Sequence, residues 1–249
     1  MLAVVILAAG KGTRMKSDLP KVLHPLAGRP LLAHVLDLAQ CLEAGRVVAV
    51  VGHQAGRVKE AFAERPNLRF AIQDPQLGTG HAVMCAAPEL GDWTGPVLIL
   101  CGDVPLLKQS TVRALLDSHA AGGHALTVLG MELPDPGAYG RLVTDAAGNL
   151  TRIVEFRDAT PQERAIRVVN AGIYVASAPE LLAYLPRLTT DNDQKEYYLT
   201  DLVELMANAG LKVGLALCPD PLEVAGINSK EELAAMESQV ARRGAGCQA

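Results

Sequence analysis

Long apolar runs are missing from this chain of 249 residues. A bilayer-spanning helix needs about eighteen or more consecutive apolar residues, and no segment offers them, so no membrane partner is expected. An excess of positive charge is missing as well. The 23 basic and 27 acidic side chains leave a formal net charge of −4, which argues against nonspecific binding to nucleic acid. Cys41, Cys85, Cys101, Cys218 and Cys247 are odd in number, widely spaced and without a C-x-x-C pair. Neither a disulfide framework nor a thiolate metal centre is expected from them, and most stand in apolar runs that read as core. Met1 leads directly into an apolar run with no basic n-region or cleavage site, so a cytoplasmic location is expected.

Familiar catalytic signatures are absent too. A dinucleotide fingerprint G-x-G-x-x-G fails because Met15 fills the third glycine position, and P-loop spacing occurs nowhere. There is no G-x-S-x-G, no H-E-x-x-H and no Cys/His pair in a nucleophilic setting, which sets aside hydrolysis through an enzymic nucleophile.

What is present is the pattern of an α/β protein. Hydrophobic residues make up 49% and charged ones 20%, enough apolar chain for one sizeable core. Apolar runs at 2–7, 47–51, 68–72, 97–101 and 125–131 alternate with helical patterns near 30–43, 54–63, 80–87 and 110–121. That alternation predicts βαβ units and a mainly parallel sheet flanked by helices. Past Pro134 the rhythm changes: 139–145, 150–157 and 167–176 read as strands with no long helix between them, which predicts an antiparallel or mixed extension. Helices near 178–186 and 199–208 follow, then a strand at 212–218 and a last helix opened by Ser229, with Glu232 in a capping-box pattern. The chain reads as a single domain over 1–241 with two parts, about 1–132 and about 133–241, and a flexible tail over 242–249.

The chemistry concentrates where strands end. Leu7-Ala8-Ala9-Gly10-Lys11-Gly12-Thr13-Arg14-Met15 leaves the first strand and enters a bare turn, with Leu19-Pro20-Lys21 downstream. Glycines at 10 and 12 remove the side chains that would keep a ligand off the backbone. Free N–H groups of such a turn line an anion site, and Lys11, Arg14 and Lys21 add positive charge. Arg14 and Lys21 are the candidate clamps on phosphates, with Pro20 restricting the backbone that aims Lys21. Gln73 precedes Gly78-Thr79-Gly80-His81-Ala82; its amide offers an acceptor and a donor side by side, and the glycines allow backbone close to a ligand. Cys101-Gly102-Asp103-Val104-Pro105 closes the fourth strand and sets Asp103 at the edge where open α/β sheets bind ligands. One carboxylate plus phosphate oxygens suits Mg²⁺. In the second part, Gly140 gives clearance, while Glu155 and Asn170 offer hydrogen-bonding groups to a polar ligand.

The signature L-A-A-G-x-G-T-R-M with a downstream P-K resembles that of the sugar-nucleotide pyrophosphorylases (sugar nucleotidyltransferases). Ser17 to His24 is similar to the bacterial N-acetylglucosamine-1-phosphate uridylyltransferases in particular, and the likeness runs from about residue 2 to about residue 232. It implies a Rossmann-like, mainly parallel sheet with a smaller sugar-binding lobe. It also implies that a uridylyl group passes from UTP to N-acetylglucosamine 1-phosphate, yielding pyrophosphate and UDP-N-acetylglucosamine, a peptidoglycan precursor. Such a reaction needs no general base, because the attacking phosphate oxygen is already an anion; it needs cations, a metal and backbone donors to align two polyanions.

Carried onto matching positions, the resemblance gives catalytic roles to Arg14, Lys21 and Asp103. It gives substrate contacts to Leu7, Ala8, Ala9, Gly10, Lys21, Gln73, Gly78, Thr79, Cys101, Gly102, Asp103, Gly140, Glu155, Asn170 and Asn228. Mg²⁺ would be held by Asp103 and Asn228, the latter resting on the Ala225-Gly226-Ile227-Asn228 match alone. Two positions depart from the family. Cys101 stands where relatives often carry tyrosine, and Lys195 replaces glycine in a Q-G-E-Y-Y motif, which either tightens phosphate binding or narrows sugar choice. These uridylyltransferases are usually fused to hexapeptide repeats that acetylate glucosamine 1-phosphate. No such repeats occur here, so that activity is not expected, and a separate acetyltransferase partner and the oligomeric state stay open. Alternatives are another sugar 1-phosphate as substrate, or a non-catalytic nucleotide-sugar-binding regulator; Arg14, Lys21, Asp103 and Asn228 together argue against the regulator.

Overall fold

The computed structural model describes residues 1–246, with side chains as far as Arg242. β1 (Ala3–Ala8) is apolar throughout because it is covered on both faces: Val4, Ile6 and Ala8 join one core cluster, Ala3 and Val5 another. A small hairpin, β2 (Pro25–Leu26) and β3 (Arg29–Pro30), leads into α1 (Leu31–Cys41). Then β4 (Arg46–Val51), α2 (Ala55–Ala61), β5 (Leu68–Ile72), α3 (Thr79–Ala86), β6 (Pro96–Cys101), α4 (Gln109–Gly122) and β7 (Leu126–Glu132) keep the alternation. Gly123, at φ 58°, takes the left-handed conformation that ends α4.

Next come β8 (Arg141–Thr144) and β9 (Leu150–Val154), an antiparallel hairpin. α5 (Pro161–Arg164) is one turn closed by the Thr160–Glu163 capping box, and β10 (Val168–Ser177) returns through the main sheet. α6 (Ala178–Tyr184), α7 (Asp201–Asn208), β11 (Val213–Leu217) and α8 (Lys230–Gly246) complete the order. Where the composition predicts a tail from Arg242, α8 continues to Gly246; residues 247–249 lie outside the described residues.

Among the described residues the main sheet has nine strands, ordered β11-β7-β10-β6-β1-β4-β5 along its path, with β8 and β9 branching from β10. β6, β1, β4 and β5 are parallel, β10 is antiparallel to both neighbours, and β11 is parallel to β7. The chain leaves β1 toward β4 and β5, then returns to place β6 on its other side. The loops after β1 and β6 therefore diverge around a crevice, the usual ligand position in open α/β sheets.

One face is covered by α1 (Leu32, Val35, Leu36), α2 (Val58) and α4 (Val112, Leu115), the other by α3 (Val83), α6 (Leu181) and α7 (Leu202, Met206). A third cluster, Leu26, Leu31, Ile227 and Met236, ties α8 to the β2–β3 hairpin. The cysteines depart from expectation in part. Cys218 is buried and Cys85 and Cys101 are half-buried, but Cys41 is exposed at the end of α1; these four are free thiols, and Cys247 lies outside the described residues.

Candidate active site

A cleft of about 310 Å³ opens at the carboxyl ends of β1, β5 and β6. Leu7, Ala8, Ala9, Gly10, Lys21, Gln73, Gly78, Thr79, Cys101 and Asp103 line it, so ten of the predicted contacts share one cavity. Val22, Gln76, Ala82 and Glu196 line it too and were missed. Gln76 lies between Gln73 and Gly78, and Glu196 belongs to the Gln194–Tyr198 segment, so position in the motifs could have pointed to both.

The register places the parts. Leu7 pairs with Cys101 and with Val50, so the bare turn after β1 lies beside Gly102 and Asp103 after β6. An added Cβ at Gly102 would meet Leu7 O at 3.2 Å and Ala8 Cβ at 3.3 Å; the glycine lets the two strand ends close up. A Cβ at Gly10 would meet nothing within 4 Å, so the backbone there borders open space. Arg14 is exposed on the 3-10 turn Thr13–Met15 and makes no ion pair among the described residues.

At the floor, Lys21 Nζ donates to Asp103 Oδ2 and, at 3.0 Å, to Asn228 Oδ1. Asn228 stands well away in sequence and is brought here in three ways. Ile227 N donates to Asp103 O at 3.0 Å, Asn228 N donates to the Glu232 carboxylate at 2.6 Å, and the third core cluster anchors Ile227. Ser229 Oγ accepts from Glu232 N at 3.1 Å as the predicted cap, but the glutamate reaches back one residue further, to Asn228. The ammonium shows that a carboxylate oxygen and an amide oxygen converge on one cation. Two hard oxygens without thiolate or imidazole are a donor set that fits Mg²⁺, which keeps waters and asks for few protein ligands.

Gln73 is buried directly after β5, and its Nε2 donates to Gly78 O at 2.8 Å. The side chain thus shapes the loop as well as facing the cleft. Gly78 and Gly80 have a structural cause that sequence reading gave to the ligand. A Cβ at Gly78 (φ 106°) would lie 2.6 Å from Tyr197 O, and one at Gly80 would lie 2.6 Å from Leu188 Cδ1 and 2.9 Å from Tyr197 O. The clearance serves the 192–199 segment, which is stitched on by Gly80 N to Tyr197 O, Tyr197 N to Leu77 O and Leu199 N to Thr79 Oγ1.

Gly140, Glu155 and Asn170 sit next to the cleft rather than in its lining. Asn170 N donates to Gly140 O at 2.8 Å, and Gly172 N donates to Asn170 Oδ1 at 2.9 Å across an irregularity in β10. Asn170 Nδ2 donates to Tyr174 Oη at 2.6 Å, so its amide is already half engaged. Gly172 (φ 74°) in turn meets Cys101, whose thiol donates to Gly172 O at 3.3 Å and is pushed up to about 12 by burial. A Cβ at Gly140 would stand 3.1 Å from Ile153 Cγ2 and 3.5 Å from the Glu155 carboxylate. Burial raises Glu155, a hydrogen bond from Thr200 Oγ1 at 3.2 Å opposes the shift, and the charges of Asp158 and Glu196 add to it. Arg141, 2% exposed, locks this corner by donating to the carbonyls of Tyr139, Gly137 and Arg164, and the guanidinium groups of Arg141 and Arg164 lie 5.4 Å and 4.6 Å from the centre of the Phe156 ring.

Lys195 stands at φ 55°, the left-handed region where glycine is favoured, and its side chain is 74% exposed with Asp191 at 4.0 Å. Among the described residues its side chain makes no hydrogen bond or ion pair with the cleft cations or with Gly140, Glu155 and Asn170, and the departure from the motif falls at a left-handed backbone position.

A crevice at a strand-order reversal, a bare strand-end turn and a cation held between two oxygens define a nucleotidyltransferase-type α/β domain. A family model, the MobA-like NTP transferase domain, matches residues 4–198, and the chain belongs to that family. The bifunctional protein GlmU of Geobacter metallireducens is 52% identical over 233 residues, covering 94% of this chain and 49% of that protein. GlmU of Cupriavidus pinatubonensis is 53% identical over 234 residues, covering 94% and 51%. The chain thus spans about half the length of the curated relatives it matches. A crystal structure of a candidate glucose-1-phosphate thymidylyltransferase from Bacillus anthracis, in complex with sucrose, aligns with a TM-score of 0.78 at 17% identity over 96% of this chain and 95% of that one, which shows the shared fold. Among the described residues no helix is long and apolar enough to cross a membrane.

Proposed function

We propose that this chain transfers the uridylyl group of UTP to N-acetylglucosamine 1-phosphate, as a cytoplasmic source of UDP-N-acetylglucosamine. The observation that carries the reading is the meeting of Lys21, Asp103 and Asn228 at the floor of a cleft walled by the bare turn Leu7–Gly10. The name of the GlmU relatives supports it at about half identity over the matched region.

A sugar-phosphate oxygen attacks the α-phosphorus, the bond from that phosphorus to the bridging oxygen of the β-phosphate breaks, and pyrophosphate leaves with the electron pair. Arg14 and Lys21 hold the triphosphate and offset its repulsion with the sugar phosphate. Backbone N–H groups of the turn at Ala9 and Gly10 meet phosphate oxygens, and Gln73 with Gly78 and Thr79 reads uracil and ribose. In the lobe over about 133–241, Gly140, Glu155 and Asn170 hold the N-acetyl sugar, Asn170 through the lone pair and N–H that its own turn leaves over. When bound at Asp103 and Asn228, Mg²⁺ supplies charge stabilisation to the transferring group.

Pyrophosphate release over a grid of five nucleoside triphosphates and the 1-phosphates of N-acetylglucosamine, glucosamine and glucose tests all of this. The expected active cell is UTP with N-acetylglucosamine 1-phosphate. Equal use of UTP and CTP removes the uracil reading, and equal use of glucose 1-phosphate removes the sugar reading.

A further inference from the structure

Lys21 is seated with unusual care. A Cβ at Gly12 (φ 60°) would come within 2.7 Å of Lys21 Cβ, so the second glycine of the turn is bare to make room for this stem. From that seat the ammonium reaches Asp103 Oδ2 and Asn228 Oδ1, and the lysine and aspartate side chains are only 15% and 17% exposed. Those two oxygens are the ones the proposed function gives to the divalent cation. An ammonium and a divalent cation within a few ångströms in a part-desolvated pocket repel strongly, so the same oxygens do not hold both.

We infer that Lys21 and the divalent cation exchange at one site: entry of the metal ejects the ammonium from Asp103 and Asn228 and frees it for the phosphates. The inference rests on the proposed assignment of Asp103 and Asn228 to metal. Until exchange, Lys21 keeps the part-buried Asp103 charge compensated, which avoids the cost of an unpaired carboxylate. The four-carbon stem and rotatable donors of lysine suit a group that must work in two positions. The fixed ammonium also sets a threshold, because metal binding has to break an ion pair first.

The test uses Mn²⁺ alone, without nucleotide, with free Mn²⁺ followed by electron paramagnetic resonance. Lys21→Met is expected to bind Mn²⁺ about tenfold more tightly or better, since the competing charge is gone. Equal or weaker binding by Lys21→Met overturns the exchange. On the unaltered chain, acylation of Lys21 by acetic anhydride, mapped by mass spectrometry, is expected to rise several-fold when Mn²⁺ is added; labelling that Mn²⁺ leaves unchanged overturns it independently of any variant. Asp103→Asn separates the two layers: loss of Mn²⁺ binding supports the metal assignment, whereas binding that survives removes that assignment and the exchange with it.

Discussion

The phosphate end of the cleft hangs from the carboxyl edges of parallel strands: a bare turn after β1, Asp103 after β6, and one lysine on a stem that a glycine makes room for. The sugar end is made differently. There a buried arginine bonded to three carbonyls, an irregular β10 and a carboxylate raised by burial hold one another in place, and most of their polar capacity is spent internally. The first region keeps its charged groups and backbone facing the cavity; the second is largely a frame that leaves a few atoms over. Change at the phosphate end should therefore act on chemistry, and change at the sugar end on stability first.

The sharpest break in that contrast would come from Asp103→Ala. Removing the carboxylate strips both Lys21 and the proposed metal of their anion, and turnover is expected to fall by about 10²-fold or more, since metal charge stabilisation is worth several kcal/mol. Folding is expected to survive, because Asp103 makes its fold-tying bond through its carbonyl, to Ile227 N. Steady-state pyrophosphate release with and without EDTA, beside circular dichroism, reads both; turnover that persists in both conditions removes the metal assignment.

Gln73→Ala lies at the border between the two plans. The amide both faces the cleft and holds Gly78 O, which also accepts from Ala82 N at 3.1 Å, so its loss takes one hydrogen bond from the frame and, on the proposed function, leaves the base without its partner at a cost of about 1–3 kcal/mol. A rise of about tenfold in the KM for UTP is expected on that scale, together with a lower Tm. A KM change without a stability change would assign the residue wholly to the base; the reverse would assign it to the frame.

How much of this was legible follows the same division. Glycine spacing, strand-end position and cation content are one-dimensional signals, and they picked out Leu7–Gly10, Lys21, Gln73 and Asp103 without a fold in hand. The alternating strands and the change of rhythm after Pro134 were legible for the same reason, since burial on both faces leaves continuous apolar runs. Asn228 was legible only through the family match at Ala225–Asn228, because its place depends on a distant helix cap and the Ile227 contact. The true reasons for Gly78 and Gly80 were not legible, since they are set by Tyr197 and Leu188 more than 100 residues on. The engagement of Asn170 by Gly172 and Tyr174 needed the irregularity in β10, which no local pattern announces.

Asp201 sharpens the sugar side by pH. Burial, with the charges of Glu204, Glu155 and Asp158, pushes its carboxyl from 3.8 up to about 6. A folded value above the unfolded one means that the group favours the folded state fully below about pH 4, and that this contribution is lost as pH rises through about 6. Asp201→Asn is expected to raise stability at pH 7 by about 1 kcal/mol, a figure discounted for partial exposure and for the preference of the α7 N-terminus for negative charge. Denaturant unfolding between pH 4 and 8 checks it. The variant should show a flatter profile across that window, and a profile parallel to the parent's would mean that these acids are well solvated rather than part of a buried frame.

Lys195→Gly carries the smallest expected effect and tests whether the segment linking the two ends is frame or chemistry. Lysine at φ 55° bears a left-handed cost of about 1–2 kcal/mol. Glycine there gives back about 0.5–1 kcal/mol through the entropy of the unfolded chain. Its exposed contact with Asp191 at 4.0 Å is worth little against either quantity. The balance favours the variant by about 0.5 kcal/mol, a rise in Tm of about 1–2 °C for a chain of this size. Asn192, which accepts from Glu196 N and donates to Glu196 O, keeps the loop shape in both chains. The KM values for UTP and sugar 1-phosphate should therefore stay unchanged. A lower Tm, or a shifted KM for either substrate, would place the Lys195 ammonium in the cleft chemistry and dissolve the division between the two ends.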